Sequence, residues 1–139
     1  MLFVDTSAFY AVADESDVHH PAARELFEER AQAGELVTTD YVFVETWCLI
    51  RARLGRKAAM DYWDAMATGV VRVLGVSSAD LSRARAIVRG WPDQDFSLVD
   101  GTSFAVIERV GIRDSFAFDV HFRVVRLGPA RRAALRVVP

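Results

Sequence analysis

The sequence predicts an α/β fold: a central, mostly parallel sheet flanked by helices on both faces. Three observations carry that prediction. The opening run Leu2-Phe3-Val4 is apolar at every position, as in a strand buried on both faces. Short apolar or valine-rich runs then alternate with longer segments of helical character. Capping residues and glycines mark the joints between them. Such alternation favours parallel strands joined by helical crossovers, a fold in which ligands gather at the carboxyl ends of the strands.

Each element has a local reason. After the strand Leu2–Val4, Asp5-Thr6-Ser7 offers helix caps before Ala8–Ala13. Pro21 suits a first helical turn, and a helix over Ala22–Ala33 places Leu26 and Phe27 inward and stops at Gly34. Leu36–Thr38 reads as a strand. Asp40 is positioned to cap a helix over Tyr41–Leu54, which Gly55 ends, and Arg56–Ala67 reads as the next helix. Val70–Val76 has strand composition. Ser77 and Asp80 have capping-box spacing ahead of a helix to about Arg89, and Gly90-Trp91-Pro92-Asp93 breaks the chain. A helix over Ser97–Val110 closes at Gly111. Ser115–Phe118 and Arg123–Leu127 read as short strands, and the tail from Pro129 to Pro139 gives no firm pattern.

A chain of 139 residues has the length of one domain, and 52% hydrophobic with 26% charged residues is a globular composition. No apolar run has the length to cross a bilayer, and the N-terminus does not have the pattern of a signal peptide. The single cysteine, Cys48, excludes an intramolecular disulfide and suits a cytoplasmic protein; its apolar surroundings predict a buried thiol. The net charge of -2 argues against a general nucleic-acid coat protein. The charge is unevenly spread: residues 1–69 carry a balance of -6 and residues 70–139 a balance of +4. Of the 17 basic residues only Lys57 is a lysine, an arginine bias that a GC-rich genome explains.

Four carboxylates stand where apolar elements make them costly. Asp5 ends the first strand, Glu45 lies inside Tyr41–Ile50, Asp100 inside Ser97–Val106, and Asp119 follows Ser115–Phe118. Asp5 is also placed to cap a helix, Asp100 to close a capping box with Ser97, and Asp119 to cap a turn. Glu45 is mid-helix, so only an exposed stripe explains it otherwise. All four can converge on one rim of the sheet. Converging carboxylates repel unless a cation joins them, and an all-oxygen set favours Mg²⁺ or Mn²⁺ over zinc. That arrangement suits phosphodiester hydrolysis.

The same residues resemble the PIN domain, in particular VapC-like toxins of bacterial toxin–antitoxin pairs. Leu2-Phe3-Val4-Asp5-Thr6-Ser7 is similar to the first motif of that family, and Val44-Glu45-Thr46 to the second. Asp95–Phe104, with Asp100 as its acid, resembles the third, and Ala117–Phe122, with Asp119, the fourth. The resemblance covers almost the whole chain and implies one PIN domain over residues 1–139. It implies a Mg²⁺- or Mn²⁺-dependent endoribonuclease, a homodimer, and a small VapB-like antitoxin that blocks the pocket. It also implies roles: Asp5, Asp100 and Asp119 as direct or water-mediated metal ligands, and Glu45 as a ligand or the group that orients water. Thr6, Ser7 and Ser97 would hold carboxylates or contact phosphate. Gly101 departs from the pattern, where relatives often carry alanine, and should weaken its helix.

Other polar residues divide less sharply. His121 is either a contact to RNA or a structural histidine. Asp95 reads as a turn residue, and His19-His20 as a solvated helix entry. Arg51, Arg53, Arg56 and Lys57, and Arg123, Arg126, Arg131, Arg132 and Arg136, either track an RNA backbone or form solvated faces. Phe43, Trp47 and Trp63 read as core or interface. Two other functions compete with the toxin: a housekeeping PIN nuclease in RNA processing, and a receiver-like Mg²⁺-binding signalling domain. The latter wants a second acid near Asp5 and a late lysine; Thr6-Ser7 and the solitary Lys57 fit it poorly.

Overall fold

In the computed structural model, which describes residues 1–139, strand β1 (Leu2–Val4) is buried at all three positions and has neighbours on both sides. It pairs in parallel with β2 (Leu36–Thr39), with Leu2 opposite Leu36, and with β4 (Asp114–Phe116), with Phe3 opposite Ser115. The outer strands β3 (Arg72–Leu74) and β7 (Arg136–Val138) complete a five-stranded, all-parallel sheet in the order β3-β2-β1-β4-β7. The chain first builds outward from β1 to β3, then crosses back to start β4 on the other side. β1 and β4 therefore flank the point where strand order reverses, and a crevice opens beyond their carboxyl ends.

The helices are α1 (Thr6–Ala13), α2 (His20–Gln32), α3 (Asp40–Leu54), α4 (Arg56–Ala67), α5 (Ser78–Arg89), α6 (Leu98–Val110) and the single turn α7 (His121–Val124). Residues Asp100 to Ile107 of α6 are all buried, so this helix is covered on every side. Gly101 makes that possible. A Cβ there would stand 2.8 Å from Val88 Cγ2 and 3.3 Å from the Ala84 carbonyl, so the glycine lets α6 approach α5 closely. Arg109 of α6 clamps the same pair, donating to both oxygens of buried Asp80 at 2.7 and 2.9 Å. Phe3 of β1, Phe104 of α6 and Phe122 of α7 meet in the core, Phe122 lying 6.3 Å from Phe3 and 5.0 Å from Phe104 between ring centres. That packing anchors α7 and so fixes its first residue, His121.

Several boundaries differ from the sequence expectations. Thr39, not Asp40, caps α3: its hydroxyl accepts the Val42 N–H, while Asp40 accepts from Tyr41 and from Val76. α2 starts at His20. The expected strand over Val70–Val76 shrinks to Arg72–Leu74, because its one neighbour, β2, pairs with it only over Val37–Thr39 before α3 begins. β4 ends at Phe116, so Asp119 lies in the loop beyond it. Arg123–Leu127 is not one strand: Arg123 belongs to α7, and only Arg126–Leu127 (β5) is extended, paired antiparallel with β6 (Ala133–Ala134). The tail supplies both β6 and the sheet strand β7. Cys48 is exposed on α3, contrary to the burial expected from its apolar neighbours, because it falls on the outer stripe of that helix.

Candidate active site

Asp5 follows β1 directly and caps α1. Its backbone N–H donates to the Phe116 carbonyl at 3.0 Å, so the strand pairing of β1 with β4 carries on to the acid itself. Its Oδ2 accepts the Ser7 N–H at 3.1 Å and the Ser7 hydroxyl at 2.6 Å. The Ser7 oxygen in turn accepts the N–H groups of Phe118 and Asp119, at 2.9 and 3.3 Å. One hydroxyl thus ties the first acid to the loop that carries the fourth. Asp5 is only 4% exposed. Burial, opposed by the bonds from Ser7 and reinforced by the charge of Asp100, pushes its carboxyl up to about 7.

Asp100 does both things its sequence position allows. It closes a capping box, accepting the Ser97 N–H and donating its own N–H to the Ser97 hydroxyl, each at 3.0 Å. Its Oδ2 also faces His121 Nδ1 at 3.1 Å, and Asp119 Oδ1 stands 3.4 Å from the same nitrogen. Asp119 Oδ1 accepts the His121 N–H at 2.9 Å, which fixes the acid at the entry to α7. The potential ligand atoms of Asp100, Asp119 and His121 all lie within 4.8 Å of one another. Asp5 lines the same cleft but is not one of that close trio.

Glu45 arrives from α3. The Thr6 hydroxyl donates to its Oε1 at 2.6 Å, and Thr46 donates to Thr6 at 3.4 Å. Asp5, Glu45, Asp100 and Asp119, from four separate stretches of chain, therefore face one cleft of about 310 Å³ together with Thr6 and Ser7. Ser97 stands behind Asp100 rather than in the cleft wall. A larger apolar groove of about 540 Å³, over Leu81, Ala84, Val88 and Leu98, contains no carboxylate.

The cleft also contains Tyr10, Asp17 and Leu49, which sequence reasoning passed over, together with His19, read as a solvated helix entry, Arg53, read as either an RNA-backbone contact or part of a solvated face, and Phe118 of the fourth motif. His19 is exposed at the entry to α2, as expected, and the pair also makes contacts. The His19 ring stacks on Phe118 with centres 4.2 Å apart, and His20 Nδ1 lies 2.8 Å from the Ala11 carbonyl. Nothing in the local sequence marks His19, which depends on a loop folding back. Arg53 had a legible signal: Glu45, Leu49 and Arg53 recur every four residues along one ridge of α3. Asp95 is exposed before Phe96, as a turn residue would be.

The donor set is dominated by carboxylate oxygens with one imidazole nitrogen, and it crowds negative charge into a mostly buried space. Such a set fits a hard divalent cation. Comparison with known proteins agrees with the fold. The PIN domain family model matches residues 2–127. The 23S rRNA-specific endonuclease VapC20 of Mycobacterium tuberculosis is 34% identical over 122 residues, 88% of this chain and 92% of the relative. Ribonuclease VapC26 of the same organism is 27% identical over 139 residues, 99% of this chain and 100% of the relative. The crystal structure of VapC20, described as a Sarcin-Ricin loop cleaving toxin, matches with a TM-score of 0.76 at 32% identity, covering 86% of this chain and 91% of that one. This chain belongs to the PIN-domain family.

Proposed function

We propose that this protein is an endoribonuclease that hydrolyses RNA phosphodiester bonds with Mg²⁺ or Mn²⁺ and acts as the toxin of a toxin–antitoxin pair. The observation that carries this reading is the meeting of Asp5, Glu45, Asp100 and Asp119 in one cleft beyond β1 and β4. The VapC relatives, named as a ribonuclease and a 23S rRNA-specific endonuclease, support it.

Asp5, Asp100 and Asp119 would hold the metal, directly or through water. When bound, the ion supplies an acidified water and stabilises charge on the phosphoryl oxygens. Glu45, fixed by Thr6 through one oxygen, uses the other to accept a hydrogen bond from the attacking water. Attack forms the new P–O bond as the bond to the leaving ribose oxygen breaks; the water's proton passes to Glu45, and the leaving oxygen takes a proton from solvent. His121 lies against Asp100 and Asp119 and positions both. Ser7 and Ser97 hold Asp5 and Asp100 in place.

The same reading gives the protein an RNA substrate, a VapB-like antitoxin as inhibitor, a homodimeric state and a cytoplasmic site of action. No helix is long and apolar enough to cross a membrane. The test is to incubate the protein with total RNA and map new RNA ends with Mg²⁺, with Mn²⁺, and with chelator. Discrete cleavage that needs either metal and disappears in Asp5→Asn is expected. Absence of cleavage in both metals, or equal cleavage in chelator, would overturn the reading.

A further inference from the structure

The cleft extends beyond the acids along one ridge of α3, from Glu45 past Leu49 to Arg53. Eight residues of helix carry that ridge roughly 12 Å. Five carboxylates line the cleft (Asp5, Asp17, Glu45, Asp100 and Asp119), and Arg53 is its one arginine or lysine. A polyanion entering such a space meets repulsion that one divalent ion at the acids relieves only in part.

Arg53 is exposed and has an aromatic neighbour. Its guanidinium lies over the Tyr10 ring, 5.2 Å from the ring centre. The acid that meets the Tyr10 hydroxyl, Asp14, accepts from other groups. Tyr10 donates its hydroxyl to Asp14 Oδ2 at 2.7 Å, and Ser16 donates its N–H and hydroxyl to Oδ1 at 3.0 and 2.7 Å. Arg53 takes part in none of the chain's ion pairs. The neighbouring arginines on this stretch, Arg51 and Arg56, do not line the cleft.

We infer that Arg53, steadied by the Tyr10 ring, binds a backbone phosphate of the RNA strand next to the scissile one and so sets how the strand lies across the acids. This inference rests on the ribonuclease reading above. A planar guanidinium suits a phosphate better than an ammonium does, because its fork donates two parallel hydrogen bonds.

The test compares steady-state cleavage of a short single-stranded RNA by the wild type, Arg53→Ala, Arg53→Lys and Arg51→Ala over a range of salt. Arg53→Ala is expected to raise KM about tenfold, the size of one lost charged hydrogen bond, with little change in kcat. Its log KM against log salt should flatten by about 0.7, one phosphate contact on a single strand. Arg53→Lys should recover the salt slope, and Arg51→Ala, on the same exposed turn, should match the wild type. An unchanged KM and slope in Arg53→Ala, or an equal effect of Arg51→Ala, would overturn the inference.

A binding arm separates this inference from the nuclease reading. Anisotropy of the same labelled RNA is titrated with Asp5→Asn and with Asp5→Asn/Arg53→Ala in Mg²⁺. The double variant should bind about tenfold more weakly, with the shallower salt slope. Equal binding by the two overturns the role of Arg53. A wild type that cuts no RNA overturns the nuclease reading, while the binding comparison still decides Arg53.

Discussion

The Ser7 hydroxyl donates to Asp5 Oδ2 at 2.6 Å, and its oxygen accepts the Asp119 N–H at 3.3 Å. A single side chain therefore sets the distance between the acid after β1 and the acid after β4. Ser7→Ala removes three hydrogen bonds there, including the one to the Phe118 N–H. We expect it to lose about 1–3 kcal/mol in urea unfolding. Its apparent metal affinity in cleavage assays should fall about 10–100-fold, as for other groups that hold ligands. Ser7→Thr keeps the hydroxyl and should retain most of both.

Asp5 gives the metal-free protein a pH dependence opposite to that of a surface aspartate. Burial raises its carboxyl from 3.8 to about 7. Between those values the folded state binds more protons than the unfolded state, so stability falls as pH rises. The contribution is fully present below about pH 4 and lost as pH passes 7. Without metal, the Tm of the wild type should drop from pH 5 to pH 8. Asp5→Asn should flatten that drop and be more stable than the wild type at pH 8. Mg²⁺ should stabilise the wild type more at pH 8 than at pH 5, since the cation binds the charged form.

The Asp80–Arg109 pair behaves in the opposite sense. Arg109, together with the Ser77 bonds, holds the Asp80 carboxyl down at about 2. Its stabilisation is present above about pH 4 and lost as pH falls through 2. Arg109→Ala strands a buried carboxylate between α5 and α6, and should cost about 1–3 kcal/mol at pH 7, the lower part of the range for such losses because Arg109 is half exposed. The acid-unfolding midpoint should move up. Cleavage per folded molecule should stay near wild type, because the pair lies outside the cleft.

The parallel fold was legible because its signals are local: an unbroken apolar β1, the capping boxes at Ser77 and Ser97, and Gly111 after α6. The four acids were legible because each sits where burial needs a reason. What escaped was decided by tertiary contact. Cys48 is apolar by context yet faces out, and Thr39 displaced Asp40 as a cap because Asp40 reaches Val76 instead. Arg123, expected to begin a strand, belongs to a helical turn, since Phe122 is drawn into the core against Phe3 and Phe104. Gly101, costly for a helix in isolation, fits the close approach of α6 to Ala84 and Val88. His19 enters the cleft only because the loop before α2 folds onto Phe118.

If the converging acids form a metal-dependent RNA-cleaving centre, losing one ligand charge should abolish most cleavage without unfolding the chain. The most direct measurement compares cleavage of RNA by the wild type and Asp100→Asn in Mg²⁺, with circular dichroism confirming that both are folded. The asparagine keeps an oxygen for the Ser97 N–H, so the α6 cap survives while the ligand charge is lost. A folded variant is expected whose cleavage rate drops by at least about 10²-fold, the scale for a lost group that stabilises developing charge. A folded Asp100→Asn that cleaves RNA at the wild-type rate would contradict it.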